Sequence, residues 1–193
     1  MPLRSRLPAL EKNILKYRCF EMILVLFYAE HLKDFVIETL RASDHFLTAP
    51  RIKHLKKDLP KKAWQILVDE KIITPEESAE IQKLIDYRND IGHRIHFLTC
   101  DIGTKRWNRD FKDFQKSLNK EYNYEAAKRL KSLYEKVSDG FRHGFITSLS
   151  FDQLMFEETE KVLDDNLTTL RRKINRQFKQ RKLQAEQGAA ANP

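Results

Sequence analysis

The feature that most constrains this chain is its first third. From about Pro8 to Ala42 the sequence reads as one long helix, apolar almost all round between Phe20 and Ala29. A helix hydrophobic on every side is one that other helices surround, so it belongs at the centre of a bundle. The composition agrees. Five glycines and six prolines in 193 residues are few, and charged residues make up 33%. That balance favours long helices over strands and turns. No stretch alternates in the manner of a strand, and no internal repeat is visible.

Further along, "SDHFLTAP" interrupts the first helix. A shorter helix follows Pro60, with Trp64, Leu67 and Val68 expected to face inward. "TPEE" is a strong start signal, with Thr74 as N-cap, Pro75 at the first helical position and Glu77 completing a capping box. "TCDIGTKRWNRD" then breaks the helical pattern, and Phe111, Phe114 and Leu118 suggest a short amphipathic helix behind it. The pattern resumes from Tyr124 with Ala127, Leu130, Leu133, Tyr134, Val137 and Phe141. A long last helix is expected from about Phe151 to Gln184, with Leu163, Leu167, Leu170, Ile174 and Phe178 at three-four spacing. The expectation is an all-α bundle of four or five helices with long N- and C-terminal members. It forms one domain over residues 1–187, with 188–193 as a flexible tail.

The net charge of +8 favours a polyanionic partner, RNA or DNA before a membrane. The most apolar run, Cys19 to Ala29, contains Glu21 and is far too short to span a bilayer. No secretory signal is visible, so the expected setting is cytoplasmic. Cys19 and Cys100 form neither a disulfide framework nor a metal-ligand spacing, and each reads as a small core residue.

The stretch "LIDYRNDIGHR", Leu84 to Arg94, is where the helical pattern carries chemistry. At 100° per residue, Ile81, Leu84, Ile85, Ile91, Gly92 and Ile95 share one apolar stripe, with Arg88 in its middle. Asn89, His93 and His96 lie together on one flank, and Asp90 points towards solvent. A guanidinium centred on an apolar stripe requires a partner, a pocket or an interface. Gly92 removes bulk beside it. Guanidinium binds phosphate bidentately and imidazole titrates near neutrality, which are the parts for phosphodiester chemistry without a metal or cofactor. The plainer alternative is that Arg88 runs along the stripe into a salt bridge with Glu30 or Asp34 of the first helix.

"RNDIGH" resembles the arginine–polar–three-residue–histidine signature of HEPN domains (higher eukaryotes and prokaryotes nucleotide-binding), all-α bundles that include metal-independent ribonucleases. The resemblance implies a homodimer that brings the motif of each protomer into one cleft. It also implies attack by the RNA 2′-hydroxyl on the adjacent phosphodiester, leaving a 2′,3′-cyclic phosphate and a 5′-hydroxyl. His93 would then be the acid–base residue, Arg88 the phosphate holder, and Asn89 the residue orienting His93 or the substrate. The family setting implies a toxin or anti-phage defence role, and an antitoxin or regulatory partner. In HEPN toxins paired with minimal nucleotidyltransferases, a tyrosine stands two places after the histidine. Ile95 stands there in this chain, which argues against control by that partner.

Two segments suit RNA. "RRKINRQFKQRK", Arg171 to Lys182, carries seven positive charges and no acid. Arg171, Arg172, Arg176 and Lys179 are its candidate phosphate contacts. The same segment could equally be a solvated face, or meet the acidic half of a second copy. In "TKRWNRD", Trp107 between Lys105 and Arg106 on one side and Arg109 on the other suits stacking on an unpaired base, or pins the loop to the core. Two other readings remain beside the ribonuclease. One is a non-catalytic HEPN-like module binding nucleotide or RNA. The other is a helical adaptor that uses the last helix as a coiled-coil arm.

Overall fold

A computed structural model describes residues 8–52, 59–93, 98–99, 102, 122–142, 144–146 and 151–190. These residues form five helices and no strand: α1 (Ala9–Asp44), α2 (Leu59–Asp69), α3 (Pro75–His93), α4 (Ala126–Phe141) and α5 (Phe151–Ala190). The expected short helix around Phe111 to Leu118 lies outside the described residues.

The long apolar helix takes the central place expected of it, since α1 packs against all four others. Val25, Leu32, Val36 and Leu40 are fully enclosed. At 1.5 Å per residue, α1 is about 54 Å long and α5 about 60 Å. The two run antiparallel. Tyr28 donates a hydrogen bond to Glu160, Arg171 to the Tyr17 hydroxyl (2.9 Å) and Asn13 to Gln177 (3.0 Å), in step along the seam. On α5 the stripe of Leu163, Leu167 and Leu170 is buried, and Ile174 packs against the same core. That part of the stripe therefore belongs to its own bundle, and Phe178 at its end is exposed.

Three expectations change. Cys19 is exposed, not a core residue. Helical geometry puts it beside Ile23, itself 45% exposed, on a face of α1 that the described helices leave open. The apolar girdle of α1 is thus enclosed on most sides, not all. Val68 is only half-buried, while Trp64 and Leu67 are enclosed as expected. The last helix runs to Ala190, so Gly188 to Ala190 are helical and not a tail. Two alanines, the best helix formers, offset one glycine there. Cys100 lies outside the described residues.

The α2 terminus is built on an unusual backbone. Lys71 has φ of 59°. Its N–H bonds the Val68 carbonyl (3.0 Å), and the Ile72 N–H reaches back to Leu67 (2.9 Å). This is a Schellman closure, which brings Ile72 into the core. Ile72 then lies against Gly140 of α4, where a Cβ would stand 2.5 Å from its methyl, so glycine permits that approach. A left-handed lysine costs roughly 1–2 kcal/mol that glycine does not incur. Lys71→Gly should therefore raise stability by about 1 kcal/mol, read as a higher urea midpoint at unchanged slope.

Candidate functional site

Helix α3 begins on its capping box. The Glu77 N–H donates to the Thr74 hydroxyl (3.2 Å), and the Thr74 N–H to the Glu77 carboxylate (2.9 Å). The helix is then clamped to α4 by Lys136 on Glu77 (2.6 Å) and by Arg129 bridging both oxygens of Glu80 (2.8 and 2.5 Å). Ile81 and Leu84 are buried, and Ile85 packs against the core. One turn further, the same stripe delivers Arg88 to the seam with α1.

Arg88 meets Glu30 there, with Nη2 2.5 Å from Oε1. Its Nη1 donates to the Asn89 side-chain oxygen (2.8 Å). Its Nε is buried without a hydrogen-bond partner. Glu30 is shared with Lys33, which is the larger reason its carboxyl lies below the usual range, with Arg88 adding to the effect. The salt-bridge alternative therefore names the right carboxylate. Even so, Arg88 is not sealed, since 28% of its side chain is exposed. It touches Glu30 through one nitrogen, and its Nε edge makes no hydrogen bond.

Asn89 holds Arg88 instead of His93. His93 closes α3 and is exposed. Five residues of helix separate it from Arg88 by about 7.5 Å along the axis and about 140° around it. The two side chains leave α3 in different directions. Asp90, expected towards solvent, is half-buried and engaged in an interaction. Ile95 and His96 lie outside the described residues, as do Lys105, Arg106 and Trp107.

The basic segment divides. Arg171 is engaged within the fold, bonded to the Tyr17 hydroxyl and lying 5.8 Å from the centre of its ring. Arg181 pairs with the buried Glu11 (2.8 Å) and holds that carboxyl below its usual range. Arg172, Arg176 and Lys179 are exposed as those two are, and their spacing places the three on one outward stripe. Of the four residues expected to contact phosphate, Arg171 is engaged in bracing α1 against α5.

Sequence reasoning gave no role to a strongly perturbed carboxyl. Glu21 of α1 is 4% exposed. Burial pushes its carboxyl up to about 7, while the Tyr122 and Tyr17 hydroxyls and the nearby Arg171 and Arg18 pull it back. Its Oε2 has no hydrogen-bond partner. Arg18, equally buried, donates to the Tyr124 hydroxyl (2.7 Å) and the Leu98 carbonyl (3.2 Å), and lies over the Tyr122 and Tyr124 rings. The available signal was a single carboxylate in the most apolar run of the chain, at the one place where a charge is costly.

Comparison with protein-family models, with curated proteins and with solved structures finds no match. Among the described residues, no helix is long and apolar enough to cross a membrane.

The carboxyl of Glu21 gives a pH test. Its folded pKa is raised above the ordinary value of 4.5, so the folded state binds this proton more tightly than the unfolded state. Its contribution is therefore most favourable below 4.5, and falls as pH rises towards 7. The loss is on the order of 3 kcal/mol. Urea denaturation at about pH 5 and pH 8 should show Glu21→Gln losing less stability across that interval than the parent. Equal losses would place the proton elsewhere.

Proposed function

We propose that the protein is a metal-independent endoribonuclease of HEPN type, active as a homodimer on single-stranded or looped RNA. The observation that carries this reading is Arg88. It is a partly exposed guanidinium held on an apolar seam by a single carboxylate contact, with its Nε unpaired and an exposed His93 on the same helix. A phosphate offers two oxygens where Glu30 engages one nitrogen, and Lys33 already stands beside Glu30 to take that carboxylate over.

Helical geometry separates Arg88 and His93 within one copy, so a shared phosphate calls for groups from two copies. Two imidazoles then meet in one cleft. One takes the proton of the 2′-hydroxyl as O2′ bonds to phosphorus. The other gives a proton to the 5′-oxygen as the P–O5′ bond breaks, leaving a cyclic phosphate and a 5′-hydroxyl. Arg88 offsets the charge gathering on the phosphoryl oxygens. The three outward cations of α5 give the dimer a sequence-independent hold on the strand. A toxin or antiviral role in the cytoplasm, restrained by an antitoxin or regulatory partner, follows from the same resemblance.

The Glu30 contact also favours a second reading, in which Arg88 locks α3 to α1 and the module binds RNA or nucleotide without cutting it. One set of variants separates the two. In EDTA the parent should cut RNA to cyclic-phosphate ends. His93→Ala should lose about 10²–10⁴-fold in rate and keep its stability within about 1 kcal/mol, because His93 is exposed. His96→Ala should cut like the parent. A parent that binds RNA without cutting it, with Arg88→Ala destabilised, would establish the lock. An unchanged His93→Ala would end the catalytic assignment.

The α5 stripe has its own test. Neutralising Arg172, Arg176 and Lys179 together should weaken RNA binding for all sequences alike. It should also reduce the slope of log affinity against log salt by about 2. An unchanged slope would assign the stripe to packing or assembly.

A further inference from the structure

One face of α1 carries no helix. It runs through Cys19 and Ile23, both exposed, with Leu26 and Phe27 half-buried at its edges. At helical spacing the same face takes in Lys12 and Lys16 towards the N-terminus, and Glu30 and Asp34 towards the C-terminus. From Lys12 to Asp34 it is about 33 Å long.

The order of its residues is self-complementary. Two copies related by a two-fold axis place residue i against j and j against i. A face that pairs with itself in this way carries opposite charges at equal distances from its centre. Ile23 is such a centre. Lys16 and Glu30 each stand seven residues from it, and Lys12 and Asp34 eleven. Cys19 and Phe27, four residues to either side, set apolar surface against apolar surface. The charges are also available. Lys12 and Lys16 are exposed, and form no ion pair among the described residues. Asp34 is 63% exposed, with Lys33 3.7 Å away. Glu30 is 41% exposed beside Lys33 and Arg88.

We propose that this face is the dimer interface: α1 pairs antiparallel with α1 of a second copy about Ile23, so that Lys16 reaches Glu30 and Lys12 reaches Asp34 across the axis. A nucleic acid laid on the face would meet carboxylates over one half of it, and an uncharged partner would leave both ends unmatched. A second copy answers every part. The stripe is one helix wide, about 10 Å, so each copy contributes roughly 330 Å². That is under half of the ~800 Å² per partner of a standard interface, so the pair is weak and reversible.

The pairing also brings the Arg88 helices together. Glu77 meets Lys136 and Glu80 meets Arg129, so α3 runs antiparallel to α4. Tyr124 meets Arg18 and Phe141 meets Phe35, so α4 runs parallel to α1. Past Arg88, α3 therefore heads back towards the level of Ile23, and His93 lies nearer that level than Arg88 does. An antiparallel two-fold keeps flanking elements on one side, so both α3 ends converge beside the axis. The convergence bears on the ribonuclease reading, whereas the pairing stands or falls without it.

Sedimentation equilibrium of the full chain without RNA, from micromolar to submillimolar concentration, tests the pairing. The parent should pass from monomer to dimer. Ile23→Asp sets two carboxylates together on the axis and should stay monomeric, with unchanged helicity because Ile23 is exposed. Lys12→Asp and Asp34→Lys should each weaken dimerisation about tenfold, since each turns two attractions into two repulsions. The double variant restores both pairs with their signs exchanged and should return close to parental affinity. Neither residue touches Arg88 or His93, so the rescue reads the register of α1 alone. A chain monomeric at every concentration, a dimer indifferent to Ile23→Asp, or a double variant no better than the singles would overturn the proposal. Should Ile23→Asp fail to fold, the charge exchange decides it. A dimer that responds as expected and cuts no RNA supports this interface and counts against the ribonuclease reading alone.

Discussion

The antiparallel seam between α1 and α5 is the constraint on which everything else depends. Neither helix is stable alone at this length without an apolar partner face, because helical propensity is weak beside tertiary burial. Leu163, Leu167 and Leu170 supply that face to α1, and the apolar centre of α1 then remains for α2, α3 and α4 to cover. Once α1 is committed on several sides, each polar residue on it is forced into a defined neighbourhood. Glu11 meets Arg181, Tyr28 meets Glu160, Asp44 receives Arg51 and the Ile52 N–H, and Glu30 meets Arg88. The charges follow the packing.

This explains why the two polar clusters on α1 differ so much. Glu30 lies at the edge of the packed surface, 41% exposed, with two cations beside it, so ionisation is easy and its carboxyl sits low. Glu21 lies where α1, α4, α5 and the Tyr122–Tyr124 segment converge. There burial outweighs two hydroxyls and two guanidinium groups, and the carboxyl rises. One helix thus holds one carboxylate committed to being charged and another poised near neutrality, through position alone.

Much of the fold was legible in the sequence because its signals are local. The capping box at Thr74 forms both of its reciprocal bonds, and the three-four spacing on α4 and α5 marks the faces that are buried. Cys19 was misjudged because periodicity says which residues share a face, not which face is left uncovered. The end of α5 was misjudged because a glycine among alanines carries no strong stop. The site was legible only in part. Arg88 stands out on a stripe of aliphatic residues, and its partner Glu30 was among the two carboxylates within reach. The tyrosine cluster was not legible. Tyr122 and Tyr124 stand more than a hundred positions after Tyr17 and Glu21, and only the tertiary fold brings them to Glu21.

The two clusters also lie on different surfaces. Glu21 and Glu30 are nine residues apart, half a turn round α1, so the clusters occupy opposite sides of one helix. Between them runs the α1–α5 seam. Arg171 braces it at Tyr17, and Arg172 begins the outward cationic stripe one residue later. Adjacent helical residues diverge by 100°, so Arg171 and Arg172 serve different surfaces from neighbouring positions. Arg88 and His93 diverge likewise on α3, by about 140°. Position along and around each helix thus decides which surface a charge serves, whatever its neighbours in sequence.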